Sequence, residues 1–385
     1  MLSTSPSMVV RSVLHALATS IGLYATFLYI LTIPLFQNQD INVPEHWGFL
    51  RNQVTPFQLS TSDGEVLHAW HILPLELYRR NEQQLLEEPS GLASDITDRL
   101  GFKLLRDDPS SLLVLYFHGA AGTLGSCWRP PSYRAMSAGA PGRIHTVAID
   151  YRGFGASTGI PSEDGLLEDA ITLAQWAMNE AGIPPSRIVL FAQSLGTAVS
   201  ISLANYMTAR PEPSLFSGMV LVAPFANVEL LTATYRVAGM IPILEPVAKF
   251  PRLLAWLNTF ILSKWSSIDT LAEFVRRCES MPGDSSKYHI SIVHAEDDYD
   301  IPWSHSEQVF WHAVNASLVE GISYDELEKE KESSKMTRGA SGWVFHRQTA
   351  RGVIREEITK YGLHDRIMSY PVVSSAVMRA FGDHI

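Results

Sequence analysis

Read from the amino end, apolar runs and polar stretches succeed one another in lengths that predict most of the elements. From Ser12 to Phe36 no residue carries a fixed charge, and the stretch "ATFLYILTIPLF" is densely apolar. About 20 helical residues cross the hydrocarbon of a bilayer, so residues 12–36 are expected to form a transmembrane anchor behind a short tail, 1–11. A cleaved signal peptide fits less well, because the small-residue triplet Ala16-Leu17-Ala18 falls ahead of most of the apolar run. Further on, "FQLSTSDGEVLHAWHIL" reads as two strands around the turn Ser62-Asp63-Gly64. Residues 74–110 are polar with helical tendency, a surface excursion by pattern. Five apolar runs follow: "SLLVLYFHG", "IHTVAIDYRG", "RIVLFAQS", "GMVLVAP" and "YHISIVHAE". They are unbroken rather than alternating, which suits strands covered on both faces of a parallel sheet.

Helical patterns separate these runs. "EDGLLEDAITLAQWAMNEAG" sets Leu166, Leu167, Ala170, Ile171, Ala174 and Ala177 on one stripe, with acidic residues in the first turn. Strand and helix in alternation imply a doubly wound, mostly parallel α/β sheet, with ligands bound beyond the carboxyl ends of the strands. Residues 225–286 break the rhythm with an apolar, aromatic, proline-interrupted stretch, expected to be a helical cap inserted in a single domain over 42–385. Residues 325–338 are strongly charged and are expected to be a solvated loop or exposed helix without chemistry.

Composition removes several functions. The 385 residues carry a formal net charge of −10, and such a balance argues against a nucleic-acid partner. Cys127 and Cys278 form no C-x-x-C pair. His68 and His71 stand three apart on a strand and point to opposite faces, so they make a poor metal pair. Gly153, Gly155 and Gly159 are too widely spaced for a G-x-G-x-x-G nucleotide loop. Arg11 before the anchor and Asp40 and Glu45 after it favour a lumenal or extracellular catalytic domain. The sequon Asn315-Ala316-Ser317 is usable only on that side.

The chemistry centres on "FAQSLG". Ser194 lies where a strand meets a helix, and a serine becomes a nucleophile only when a base takes its proton. The usual elbow is G-x-S-x-G; here Ala192 replaces the first glycine, and both Ala192 and Gly196 are small. A helix-capping serine is the competing structural role. "FHGAAG" resembles the oxyanion loop of lipases and esterases, which makes the amides of Ala120 and Leu195 the expected oxyanion donors, with His118 and Gly119 supporting the loop. In "HAEDDYDIP", Asp298 is preferred over Asp297 and Asp300 as the orienting acid because its distance to Pro302 matches D-x-x-V-P. His364, in the loop after the final strand, is the expected base, ahead of His346 and His384. The chain order Ser194, Asp298, His364 is that of α/β-hydrolases.

These segments, with "DYRGFGASTGIPSEDG", "LVAPFANV" and "GLHD", resemble the membrane-anchored α/β-hydrolase-domain serine hydrolases that include monoacylglycerol and lysophosphatidylserine lipases. The resemblance runs from about Asn42 to the carboxyl terminus. It implies the triad Ser194, Asp298 and His364, hydrolysis of a monoacylglycerol or lysophospholipid, no cofactor or metal, and a membrane location, with the endoplasmic reticulum expected. Two alternatives remain at this level: an acyl-protein thioesterase using the same triad, and a catalytically degenerate anchored interaction protein.

Overall fold

The computed structural model describes residues 39–234, 236–237, 241–242, 250–259, 263–281 and 287–384. The expected anchor, 12–36, lies outside the described residues. Among those that are described, no helix is long and apolar enough to cross a membrane.

Strands β1 (Val54–Ser60), β2 (Val66–Ile72), β3 (Leu112–Phe117), β4 (Ile144–Ile149), β5 (Ile188–Gln193) and β6 (Gly218–Val222) precede a two-residue pair, β7 (Arg236–Val237) and β8 (Ile241–Pro242). They are followed by β9 (Tyr288–Ala295), β10 (Met336–Thr337), β11 (Gly342–Gln348) and β12 (Gly352–Thr359). The main sheet runs β1-β2-β4-β3-β5-β6-β9-β12-β11-β10. Its centre, β4 to β12, is parallel. Antiparallel strands flank both sides, so the sheet is mixed.

The unbroken apolar runs have the consequence expected of them. Along β3, Leu113, Leu115 and Phe117 enter one core, while Leu112, Val114 and Tyr116 enter the core of the opposite face. The first core is closed by helices Glu163–Gln175, Leu195–Ala209, Ser267–Ser280 and Ser304–Ala316, the second by Arg129–Met136 and Pro371–Phe381. Helix Glu163–Gln175 starts where Ser162 accepts the Gly165 N–H, and it buries Leu166, Ala170, Ile171 and Ala174. Truncating a fully buried leucine such as Leu190 costs about 2–5 kcal/mol.

Three stretches depart from their expected character. Residues 74–110 are more than a surface excursion: short helices there bury Tyr78, Leu85, Phe102 and Leu105, and the Phe102 ring sits 5.8 Å from that of Trp176. The charged run near 325–338 forms helix Tyr324–Ser334, started by a Ser323/Glu326 capping box. Its Lys331 is buried, with Nζ 3.0 Å from Glu356 and 2.8 Å from Glu328. Burial pushes the Glu356 carboxyl up to about 7 against the pull of Lys331. Within 225–286, helices Val228–Thr234 and Pro251–Asn258 belong to the insertion, whereas Ser267–Ser280 packs in the helix layer of the sheet. Asn315, near the end of helix Ser304–Ala316, is half-buried, and its Oδ1 accepts the Ile322 N–H at 2.7 Å.

Candidate active site

β5 delivers Ser194 at the carboxyl edge of the sheet. Its φ of 52° and ψ of −120° lie in a region that costs a non-glycine residue roughly 1–3 kcal/mol. The neighbours hold it there: Ser194 N–H donates to the Val222 carbonyl at 3.0 Å, and its own carbonyl accepts from the Thr197 amide at 2.9 Å. It stands at the N-cap position, yet its side chain makes no capping hydrogen bond, so the competing role is not the one it plays. The two small neighbours differ in kind. A Cβ at Gly196 would stand 2.1 Å from the Phe117 carbonyl oxygen, a contact no side chain can make. Ala192 is fully buried in β5 with its methyl part of the core, so the missing glycine of the elbow is sterically immaterial.

The loop after β3 approaches from one side. A Cβ at Gly119 would lie 3.2 Å from Ser194 Cβ and 2.2 Å from Gln193 Oε1, so any larger residue would have to push the Gln193 amide aside. His118 is buried; its ring Nδ1 donates to the Gly119 carbonyl at 2.7 Å, and Nε2 is 3.3 Å from Asp150 Oδ1. Burial, aided by the nearby Arg129 charge, lowers the His118 pKa against the opposing pull of Asp150. Ala121 and Gly122 both have positive φ, which turns the loop sharply back toward Arg129. The glycines of "YRGFGASTG" serve close packing: a Cβ at Gly155 would sit 2.1 Å from Asp150 Oδ2.

From the other side come the loops after β9 and β12. Asp298 Oδ2 accepts from His364 Nδ1 at 2.8 Å and from His294 Nε2 at 3.0 Å; Oδ1 accepts the amides of Asp300 and Ile301 at 2.9 and 3.0 Å. Burial alone would raise its pKa, but the His364 charge and these bonds hold the carboxyl well below the usual carboxylate range. For His364, burial lowers the pKa and the Asp298 charge and hydrogen bond more than reverse this, leaving it above the ordinary 6.5. Asp297 does different work, accepting the Leu363 amide at 2.8 Å and so holding the His364 loop. Of the other histidines, His71 pairs with His145 at 3.0 Å inside the sheet and His346 lies on β11.

Two residues had no assigned role in the sequence reading. Gln193 donates from Nε2 to the His364 carbonyl at 3.3 Å and to Asp365 Oδ1 at 3.1 Å while its Oε1 packs on Gly119, so one amide side chain links the loop after β3 to the His364 loop. His294, at the end of β9, takes Ser306 Oγ on Nδ1 at 2.6 Å and holds Asp298 with Nε2. Their only signal in sequence is adjacency to Ser194 and to the "EDD" run. Among the described residues, Asp298, Asp300 and His364 each bring one possible metal-ligand atom within 4.8 Å of one another, but the Asp298–His364 bond already engages two of them.

An elbow serine, a buried Asp–His pair and a glycine loop at one corner can support acyl transfer. Residues 113–320 match the model of the Alpha/beta hydrolase family, a span that ends before His364. Lysophosphatidylserine lipase ABHD12 of Danio rerio is 27% identical over 308 residues, covering 78% of this chain and 69% of that protein. Protein ABHD12B of Homo sapiens is 30% identical over 265 residues, covering 68% of this chain and 62% of its own. A solved alpha-beta hydrolase from Vibrio vulnificus has a TM-score of 0.49 at 16% identity, with 86% of this chain and 81% of that chain covered. With more than half of its length matched by the family model, the chain belongs to the alpha/beta hydrolase family.

Proposed function

We propose that the chain is a serine ester hydrolase that releases the fatty acid from lipid monoesters, lysophospholipids or monoacylglycerols, at a membrane. The observation that carries this reading is the strained Ser194 with no capping bond, set at the same corner as an Asp298–His364 pair whose loop is tied to Gln193. The names of the relatives, lysophosphatidylserine lipases, support the substrate class.

Asp298 accepts a hydrogen bond from the Nδ1–H of His364, which leaves Nε2 as the lone-pair end. His364 Nε2 removes the Ser194 hydroxyl proton as Oγ bonds to the ester carbonyl carbon. The carbonyl oxygen becomes an oxyanion held by the amides of Ala120 and Leu195. When the tetrahedral adduct collapses, the ester C–O bond breaks and the leaving alcohol carries off the proton from His364. Water, deprotonated by the same histidine, then releases the fatty acid and restores Ser194.

A fluorophosphonate probe should label the wild-type chain at Ser194, and lysophosphatidylserine or monoacylglycerol should be turned over. Equal labelling of folded Ser194→Ala would remove that serine from the mechanism, and a strong preference for acyl-peptide thioesters would move the substrate class. The proposal extends to residues 12–36 as a single-pass anchor, with the catalytic part on the lumenal side of the endoplasmic reticulum or outside the cell. The full chain should then resist carbonate extraction from microsomes and survive protease until detergent is added. Release by carbonate would dismiss the anchor.

A further inference from the structure

We propose that Arg129 is a positioning residue for the oxyanion donor: its buried guanidinium, clamped on the loop after β3, fixes and polarises the Gly119–Ala120 peptide so that the Ala120 N–H meets the oxyanion. This rests on the serine-hydrolase reading above and adds to it a residue with no counterpart in the triad.

Arg129 opens helix Arg129–Met136 and is only 6% exposed. Among the described residues no carboxylate forms an ion pair with it; its charge is met by backbone. Nη2 donates to the Gly119 carbonyl at 3.0 Å and to the Ala121 carbonyl at 2.6 Å, and Nη1 donates to the Thr123 carbonyl. An uncompensated buried ion costs several kcal/mol, so an arginine here for packing alone would be a poor choice.

The three carbonyls belong to alternate residues, and the peptides of this loop are trans. In a trans peptide the C=O and the following N–H point in opposite directions. Each carbonyl turned toward Arg129 therefore turns the next amide away from it. Leu124 obeys the rule: the Thr123 carbonyl faces Arg129, and the Leu124 N–H donates to Asp150 Oδ1 at 2.9 Å on the other side. The same geometry sends the Ala120 N–H away from the guanidinium, on the loop whose Gly119 lies against Ser194. The Gly119 carbonyl holds two donors, Arg129 Nη2 and the His118 Nδ1–H. Both draw electron density from the peptide and make its amide a stronger donor. The positive charge then stands behind the peptide in line with a negative charge that exists only in the tetrahedral state, the condition under which an interaction accelerates the chemical step.

The test uses the full chain, wild type, Arg129→Lys and Arg129→Met, with a p-nitrophenyl ester for turnover and an arylboronic acid as tetrahedral mimic. Arg129→Met should lose roughly 10²-fold in kcat per folded molecule with KM moved less than about threefold, and boronate affinity should fall with kcat. Arg129→Lys keeps the charge but not the fork; it should fold, recover part of kcat and keep the wild-type pH midpoint. A Lys variant with wild-type kcat and boronate affinity overturns the inference, as does a loss confined to KM. Should wild type neither turn over ester nor take fluorophosphonate, the serine-hydrolase reading falls and takes this inference with it. Wild type competent in both, beside an unaltered Arg129→Lys, removes the role of Arg129 alone.

Discussion

The floor of the candidate site and the insertion after β6 both follow carboxyl ends of strands, but their described side chains differ in character. On the floor, each chemical group is fixed from several directions: four hydrogen bonds converge on Asp298, two donors on the Gly119 carbonyl, and Gln193 links two loops. The described part of the insertion is hydrogen-bonded too, but it also turns apolar side chains to solvent. His305 accepts the Ala226 N–H at 3.2 Å on Nδ1 and donates from Nε2 to Thr234 Oγ1 at 2.8 Å, while Leu230 and Phe250 turn 38% and 64% of their surface outward. Rotamers locked by such a shell give a defined geometry for bond making, whereas exposed apolar side chains adapt to what they meet. The comparison sets fixed polar groups on the floor against exposed apolar side chains on the insertion.

The sharpest way to break that division is at Ser194. Ser194→Ala should lower kcat by ~10⁴-fold or more while leaving unfolding by heat close to wild type, measured by ester turnover and calorimetry. Asp298→Asn should cost about 10³–10⁴-fold in kcat, because the amide no longer selects the His364 tautomer. It should also move the acid limb of kcat/KM. In the wild type the negative Asp298 favours protonated His364, so activity should rise with pH through a midpoint above the ordinary histidine value of 6.5. With that charge gone the midpoint falls toward lower pH; a limb that stays in place would mean another group titrates.

The two small residues of the elbow give a smaller, paired test. Gly196→Ala forces a methyl against the Phe117 carbonyl and should destabilise by several kcal/mol and misplace Ser194, visible as lost stability and lost labelling together. Ala192→Gly should cost only about 0.5–1 kcal/mol and leave kcat nearly unchanged. The smallest effects belong to the insertion. Leu230→Ala and Phe250→Ala should leave turnover of a short-chain ester within about threefold yet shift the preference among acyl-chain lengths, since one methylene in an apolar site is worth about 1–3 kcal/mol. A fall in short-chain kcat as large as that of Asp298→Asn would erase the distinction between floor and insertion.

How far all this can be read from sequence follows the same line. The strands were legible because both faces are buried and each run had to be apolar throughout, and the corner was legible because elbow, acid and histidine come in a recognisable order. Gln193 was not, since its role depends on a loop that the sheet brings to it across 171 residues of chain, and His294 was not, since a histidine at the end of an apolar run does not show which way its ring turns. Residues 74–110 hid their anchors: six buried apolar side chains are diluted among charges that face water. Lys331 was hidden for the opposite reason, a charge inside a charged run giving no sign that its partner, Glu356, is buried on a distant strand.

The backbone at Ser194 carries one more implication. Its φ of 52° and ψ of −120° are uncomfortable for serine and open to glycine, so Ser194→Gly should melt higher than the native protein and do nothing. Endurance and turnover thus pull that one codon in opposite directions. A library of this chain sorted only for survival on heating would drift toward glycine at 194, discarding function first and fold last.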